Sequence, residues 1–222
     1  LNNQLSVNYS SYLAGIHIGS VSFVHEVNRR FGTLHGSIKY LNYGTLIGAD
    51  ENGNETGAFK ASDVAISIGY AKRLPWDNFY GGMNLKIINS SIENFSSTGV
   101  AADFGIMYHN EFKPFVIALV VRNIGTQFKT FNGISESLPT EVFLGGSYQL
   151  QHVPIKWHLT IDNLQQWDVA VSNPSNQTTD IEGNKTQENI SFIDNALRHF
   201  TVGVELFPKS AINLRAGYNF RK

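Results

Sequence analysis

The chain has 222 residues, of which 16% are charged and 42% hydrophobic, and its formal net charge is −1. The charged fraction is below the ~25% of an ordinary soluble domain, and the near-neutral charge excludes the basic field that nucleic-acid binding needs. The absence of cysteine excludes disulfide frameworks, thiolate metal sites and cysteine nucleophiles. The longest apolar run, Phe115 to Val121, is much shorter than the ~20 residues of a membrane helix.

Apolar and polar or small residues alternate along most of the chain. Leu34, Ile38 and Tyr40 in one segment, and Ile66 and Ile68 in another, are separated by small or polar side chains. A period of two places successive side chains on opposite faces of a strand, and no comparable stretch has the helical period. The chain is predicted to be all-β, with about eleven strands. They are expected near residues 4–12, 15–27, 31–43, 57–72, 79–92, 99–109, 114–124, 140–150, 155–163, 197–207 and 211–221.

The lengths of the strands and of their connections favour a membrane barrel. Most predicted strands are longer than the ~5–6 residues usual in globular proteins, and ~9–11 tilted residues cross a bilayer. Short connections alternate with long ones, as in an antiparallel up-and-down transmembrane β-barrel with tight turns at one rim and loops at the other. The long connections are expected at 44–56, 93–98, 125–139 and 164–196. Bacterial barrels usually have an even number of strands, so we expect residues 1–222 to form a single partial barrel domain, truncated at one or both ends.

A soluble binding module with a β-core is the alternative to a membrane barrel. It would bury the Ile, Leu and Val face and present a highly charged second face to water. The second face is instead built from Ser, Thr, Gly, Asn and Ala with few charges. The direction in which the aliphatic face points distinguishes the two architectures.

Sparse charges of both signs stand on the predicted polar faces. In a barrel lumen they could form a network that holds the wall in shape, or line a water-filled pore that selects solutes. These candidates are Lys39, Lys86, Asp103, Arg122, Lys156, Asp162, Glu205, Arg215 and Arg221.

The connection 164–196 is the expected functional surface, because loops beyond ~15 residues are usually functional or disordered. A partner-docking role and plain flexibility both remain open for it. Its apolar candidates for docking are Trp167, Ile190, Phe192 and Ile193.

The sequence contains no motif for catalysis, cofactor binding or metal binding. The segment from Asp50 has Glu55 where a calcium loop needs Gly. The position four after His25 is Arg29, which is not a zinc ligand. We therefore expect a protein that is not an enzyme and holds no cofactor or metal.

Two successive strands resemble the PorV/PorQ/PorP group of outer-membrane barrels. In that group a strand of the pattern "aaDfGv.y" precedes one of the pattern "al.v.NiG.q", which residues 99–109 and 118–127 match in order. Each motif is short and degenerate by itself. The resemblance is specific because the motifs follow one another in the same order along nearly the whole chain. Further agreement with PorQ-like members lies in 41–44, 50–57, 138–141 and 164–168.

The resemblance implies a FadL-like barrel in the outer membrane of a Gram-negative Bacteroidota bacterium. It implies a component of the type IX secretion system that anchors the cell-surface attachment complex through extracellular loops. The implied partners are outer-membrane lipid and the surface proteins PorZ, PorU and PorV. A FadL-like channel for hydrophobic or small solutes is the alternative function, distinguished by a continuous path through the lumen.

Overall fold

A computed structural model describes residues 3–28, 30–131, 133, 137–170, 178–179, 185–186 and 191–221. Eleven strands form one antiparallel sheet in which the order of the strands follows their order in the chain. The prediction of an all-β, antiparallel, up-and-down fold with eleven strands is confirmed. No helix in the described part of the chain is long and apolar enough to cross a membrane.

The sheet strands are β1 (Asn3–Ser11), β2 (His17–Asn28), β3 (Gly32–Ala49), β4 (Glu55–Arg73), β5 (Phe79–Ile92), β6 (Phe95–His109), β7 (Phe115–Lys129), β8 (Glu141–Gln149), β9 (Ile155–Ile161), β12 (Phe200–Leu206) and β13 (Leu214–Asn219). A separate two-residue pair consists of β10 (Thr178–Thr179) and β11 (Lys185–Thr186). The helices are a 3-10 turn, η1 (Leu13–Gly15), and α1 (Phe192–Leu197). The chain divides into two compact units, residues 1–106 with 121–140 and residues 107–120 with 141–222.

In the first unit, one face of the sheet is aliphatic along rows that cross the strands. Val7, Val21, Ile38, Ile66 and Ile87 stand directly opposite one another on β1 to β5. Directly opposite residues share a face, so these side chains form one continuous row. Each is between 48% and 67% exposed.

The neighbouring row, which lies on the other face, is polar. Ser6, Ser22, Ser37, Ser67 and Lys86 occupy it in the same strand order. Ser67 is buried, and Ser22, Ser37 and Lys86 are half-buried. The Ser37 and Ser67 hydroxyls share a hydrogen bond of 2.5 Å. The covered face is therefore the polar one, and the exposed face is the aliphatic one.

The described residues contain almost no apolar core. Ala61 and Ala101 are the only apolar residues among them that are buried, and no large side chain is fully buried. A soluble domain of this size buries many Ile, Leu and Phe side chains. The aliphatic face of the sheet in the first unit is the exposed one, in agreement with the face pattern expected for a barrel wall.

The second unit repeats this division of faces. Tyr148, Trp157, Val204 and Ala216 form an apolar row across β8, β9, β12 and β13. The adjacent row on the other face contains Gln149, Lys156, Glu205 and Arg215. These four polar side chains stand near the start of β9 and the end of β12.

The predicted alternation of short and long connections is wrong. Residues 44–49 and 55–56 belong to β3 and β4, so that hairpin turns within residues 50–54, and β5 and β6 are joined by residues 93–94 alone. The ladder continues from Thr45↔Lys60 to Ala49↔Glu55 because backbone hydrogen bonds do not require the strict alternation of apolar and polar side chains. Only the connections at 130–140 and 162–199 are long.

Candidate functional site

The described ends of the connection 162–199 meet in a small structured cluster, which we call the loop-base platform. It comprises Trp167, Phe192, Ile193, Asn195 and His199. Trp167 follows β9, whereas the other four belong to α1 or directly follow it. Residues distant in sequence therefore form one surface at the end of β9 and the start of β12.

Helix α1 begins at this position because its sequence carries an N-terminal cap. The Ser191 hydroxyl accepts a hydrogen bond from the Ile193 N–H at 3.2 Å. Asp194 stands in the first turn, where a carboxylate interacts favourably with the exposed backbone N–H groups. Asp194 also pairs with Arg198 at 3.1 Å, one turn along the chain. The cap directs Phe192 and Ile193 to the exposed side of a six-residue helix.

Asn195 connects α1 to the segment that follows β9. It is 6% exposed, and its Nδ2 donates to the Trp167 carbonyl oxygen at 2.7 Å. Its Oδ1 accepts hydrogen bonds from the N–H groups of Val169 and Ala170, at 3.2 and 3.1 Å. One buried side chain thus satisfies three backbone groups that have left the β-ladder, and it fixes the path of residues 167–170.

His199 makes the second connection and is 3% exposed. Its Nδ1 lies 2.7 Å from the Asp162 carbonyl oxygen, and its Nε2 lies 3.0 Å from that of Trp167. Both neighbours are carbonyl oxygens, so a ring nitrogen that carries a proton donates to the carbonyl that it faces. The Asp162 N–H donates in turn to the His199 carbonyl oxygen at 2.9 Å. These bonds join the two ends of the connection.

Aromatic rings form the outer layer of the platform. The Trp167 indole stacks on the His199 imidazole, with centroids 5.4 Å apart, and contacts the Phe192 ring at 5.1 Å. Trp167, Phe192 and Ile193 are 51%, 71% and 68% exposed. A rigid aromatic anchor on a hydrogen-bonded base is a typical interface hot spot. The platform is suited to bind an apolar surface of another protein.

The structure brings together three of the four side chains proposed for docking. Trp167, Phe192 and Ile193 lie on the platform, whereas Ile190 lies outside the described residues. The sequence reading missed Asn195 and His199, which hold the platform together. The available signal was the cap at Ser191 with Asp194 three residues later, which predicts a helix and places Asn195 inside it.

Two of the nine charged candidates form a pair on the polar face of the first unit. The Lys86 Nζ lies 2.6 Å from Asp103 Oδ1 and 2.6 Å from Asn123 Oδ1. Asp103 also accepts hydrogen bonds from the Asn123 backbone N–H at 2.9 Å and from Asn84 Nδ2 at 3.2 Å. Asn123 adopts φ 60°, which turns its N–H toward the carboxylate. The Lys86 and Asp103 charges are therefore paired within a hydrogen-bonded cluster, as expected for a structural role, while Asn84 Oδ1 in the same cluster is buried without a hydrogen-bond partner.

Three more candidates stand side by side in the second unit. Glu205 lies directly between Lys156 on β9 and Arg215 on β13. Its carboxylate accepts hydrogen bonds from Arg215 Nη2 at 3.1 Å, from His158 Nε2 at 3.2 Å and from Asn213 Nδ2. Glu205 is buried whereas its Arg215 partner is largely exposed. Lys156, Glu205 and Arg215 therefore form the polar row predicted for the lumen face.

The remaining four charges lie apart. Lys39 stands on β3 opposite Ser20 and Ala65, and Arg122 is an exposed residue of β7. Asp162 and Arg221 follow the ends of β9 and β13, so neither stands on a strand face as expected. At Asp162, strand pairing stops before the charged residue because the backbone turns into the platform.

No group of three or more His, Asp or Glu side chains within the described ranges is placed to hold a metal ion. No protein-family model matches the chain, and none of the curated proteins matches it.

Proposed function

We propose that the chain is part of the wall of an outer-membrane β-barrel of the type IX secretion system. In this proposal it performs no chemistry, and its loop-base platform holds proteins of the cell-surface attachment complex. The observation that carries the membrane part is the continuous aliphatic row from Val7 to Ile87, which is exposed, whereas in the row beside it Ser22 and Ser37 are half-buried and Ser67 is buried. Lipid contacts favour this arrangement, and water does not.

The platform supports the docking part of the proposal. Trp167, Phe192 and Ile193 expose apolar surface at the base of the longest connection, and Asn195 and His199 hold that surface in place. A pre-formed surface binds with a smaller entropic cost than a flexible loop. The type IX assignment rests on the succession of short motifs at residues 99–109 and 118–127, and PorZ-, PorU- and PorV-like surface proteins are the partners that it suggests.

Affinity capture tests the docking role in the native host. The full-length protein carries Trp167→Ala and Phe192→Ala together, and a control carries Trp76→Ala, an exposed Trp in the β4–β5 connection. We expect the double variant to capture at least about tenfold less of the surface partners, which corresponds to a loss of ~1.4 kcal/mol of binding free energy. The control should retain them. Equal recovery of surface partners with the double variant and the control would show that the platform is not the docking site.

The membrane part has a separate test that does not involve partners. Outer-membrane fractions of the same cells should retain the full-length protein after alkaline carbonate washing, and detergent should release it. A stable monomer purified without detergent would contradict the membrane location. Because this readout is independent of capture, failure of one part leaves the other standing.

A further inference from the structure

A concave surface lies at the opposite ends of β9 and β12 from the loop-base platform. Three connections of the second unit border it, at residues 110–114, 150–154 and 207–213, and its volume is ≈ 730 Å³. Lys113, Lys156 and Lys209 line it, as do the apolar residues Phe112, Val153 and Phe207. We call these six residues the cationic pocket.

The pocket has an excess of positive charge. Glu111 is the one carboxylate that lines it, against three lysines and the titratable His109 and His152. No carboxylate in the described ranges forms a salt bridge with any of these lysines. The Lys113 ammonium instead lies 5.8 Å from the centroid of the Phe115 ring. Glu205 stands opposite Lys156, but its carboxylate is paired with Arg215 and His158. Three ammonium groups at a cavity with one lining carboxylate repel one another and attract an anion.

The dimensions of the pocket indicate a ligand larger than phosphate or acetate. Its lysines come from separate connections and strands, and ≈ 730 Å³ is well beyond the volume of a small anion. Small anions are usually held by clustered backbone N–H groups or a helix N-terminus, whereas α1, the only α-helix in the described ranges, follows the opposite end of β9. The pocket therefore fits a ligand with several separated negative charges.

The apolar members of the pocket restrict the ligand further. The Phe112 side chain is 96% exposed, and Val153 and Phe207 are about half exposed. Lys156 shares the polar face of the sheet with Glu205, whereas Trp157 and Leu159 stand on the apolar face. A lipid headgroup would approach from the apolar face. Lysines and apolar side chains around one cavity instead fit a polypeptide that carries both carboxylates and apolar side chains.

We propose that the cationic pocket binds an acidic, partly apolar polypeptide segment. Ion pairs to Lys113, Lys156 and Lys209 steer the segment into the cavity, and contacts with Phe112, Val153 and Phe207 retain it. The barrel would then engage two proteins, one at each end of β9 and β12. This inference uses the membrane orientation proposed above but is independent of what docks on the platform.

Fluorescence anisotropy of the full-length protein in detergent micelles tests the pocket. The probe is a fluorescein-labelled peptide of alternating Glu and Leu, and a second peptide has Gln in place of Glu. The site variant carries Lys113→Gln, Lys156→Gln and Lys209→Gln. The control carries Lys60→Gln, Lys72→Gln and Lys129→Gln, which changes the net charge equally at exposed positions of the first unit. We expect the site variant to weaken binding of the Glu peptide about tenfold and the control less than twofold.

Four outcomes would overturn the proposal. Equally weakened binding of the Glu peptide by both triple variants would indicate long-range electrostatic attraction without a specific site. Tight binding of the Gln peptide would show that binding does not depend on the peptide's negative charge. Displacement of the probe by inorganic phosphate at constant ionic strength would indicate a small-anion site. Displacement by phosphatidylglycerol micelles, but not phosphatidylcholine micelles, would indicate a lipid site.

If the triple site variant does not fold, Lys209→Gln alone provides a second test, because Lys209 lies in an exposed turn. This variant should weaken binding of the Glu peptide about twofold, and unchanged binding would contradict the proposal.

Discussion

Lys86 and Asp103 form an ion pair of 2.6 Å between β5 and β6, and their side chains are only 13% and 17% exposed. Removing one member of such a pair leaves the other charge covered and without its counter-ion. We expect Asp103→Asn to lower the free energy of unfolding by about 3 kcal/mol, measured by urea titration in detergent. The exposed pair of Arg73 with Asp77 provides the control. Asp77→Asn should cost less than ~0.5 kcal/mol, and an equal cost at both sites would contradict the structural role of Lys86 and Asp103.

The exposed aliphatic row predicts a penalty for charge in the presence of lipid. Ile66 stands between Ile38 and Ile87 in that row. An arginine on the lipid face near the bilayer centre costs about 2–4 kcal/mol, so Ile66→Arg should lower the free energy of unfolding in bilayers by that order. Ile66→Leu keeps the side chain aliphatic and should change it by less than ~1 kcal/mol. If Ile66→Arg is as stable as wild type in bilayers, this face does not contact lipid.

Gly125 allows β6 and β7 to approach closely. A Cβ at this position would meet the Val100 carbonyl oxygen and lie 2.7 Å from Ala101 Cα. Both are backbone atoms that cannot move without separating the strands, so we expect Gly125→Ala to destabilise the protein by about 3 kcal/mol. Gly36→Ala is the matched control, because a Cβ there has no neighbour within 4 Å. Thermal unfolding of both variants measures the difference, and similar midpoints would show that the approach of the strands is not needed.

Asn195→Ala should open the loop-base platform without unfolding the sheet. The substitution removes the Asn195 hydrogen bonds to the Trp167 carbonyl and to the N–H groups of Val169 and Ala170. The Trp167 carbonyl keeps its contacts with His199 Nε2 and the Val169 N–H, so the loss falls mainly on the Ala170 N–H. An unsatisfied buried group costs about 1–3 kcal/mol, and here the cost falls on one local segment. Hydrogen exchange should therefore accelerate in residues 167–170 but not in β9 or β12. Leu197→Ala, at an exposed position of α1, should leave exchange in 167–170 unchanged.

Asp50 predicts a pH response at the β3–β4 turn, outside the strands. The side-chain hydrogen bond from Asn54 Nδ2 is the largest cause that lowers the pKa of Asp50 from its ordinary 3.8, and backbone N–H groups add to it. A lowered pKa in the folded state stabilises the turn above the unfolded pKa, and this contribution is lost as the pH falls through the folded pKa. NMR titration should give Asp50 a pKa below 3.8, and Asn54→Ala should raise it. An unchanged value in that variant would contradict the assignment of the cause.

The strands were predictable because the period of two is strong wherever one face is aliphatic. The prediction failed at the hairpin end of β3 and β4 because Leu46 and Ile47 are adjacent and interrupt the period of two, although the ladder continues there as Leu46↔Phe59 and Ile47↔Ala58. The polar row Lys156–Glu205–Arg215 was predictable from alternation, but its register was not, since that depends on which strands pair. The cap at Ser191 predicts the helix that contains Asn195, but the contacts of Asn195 and His199 were not predictable because they depend on backbone groups of Asp162 and Trp167, which only the folded chain brings near.

The closed junction between Asp162 and His199 has a consequence for how this protein can diversify. Their mutual bonds end the β9–β12 ladder cleanly, directly after the Ile161↔Phe200 pair. Lengthening a chain segment between two fixed points costs only about 0.6 kcal/mol for each doubling. Insertions between these two residues can therefore change size and sequence while the sheet keeps its register. Different insertions at this junction could therefore give the same sheet different binding specificities.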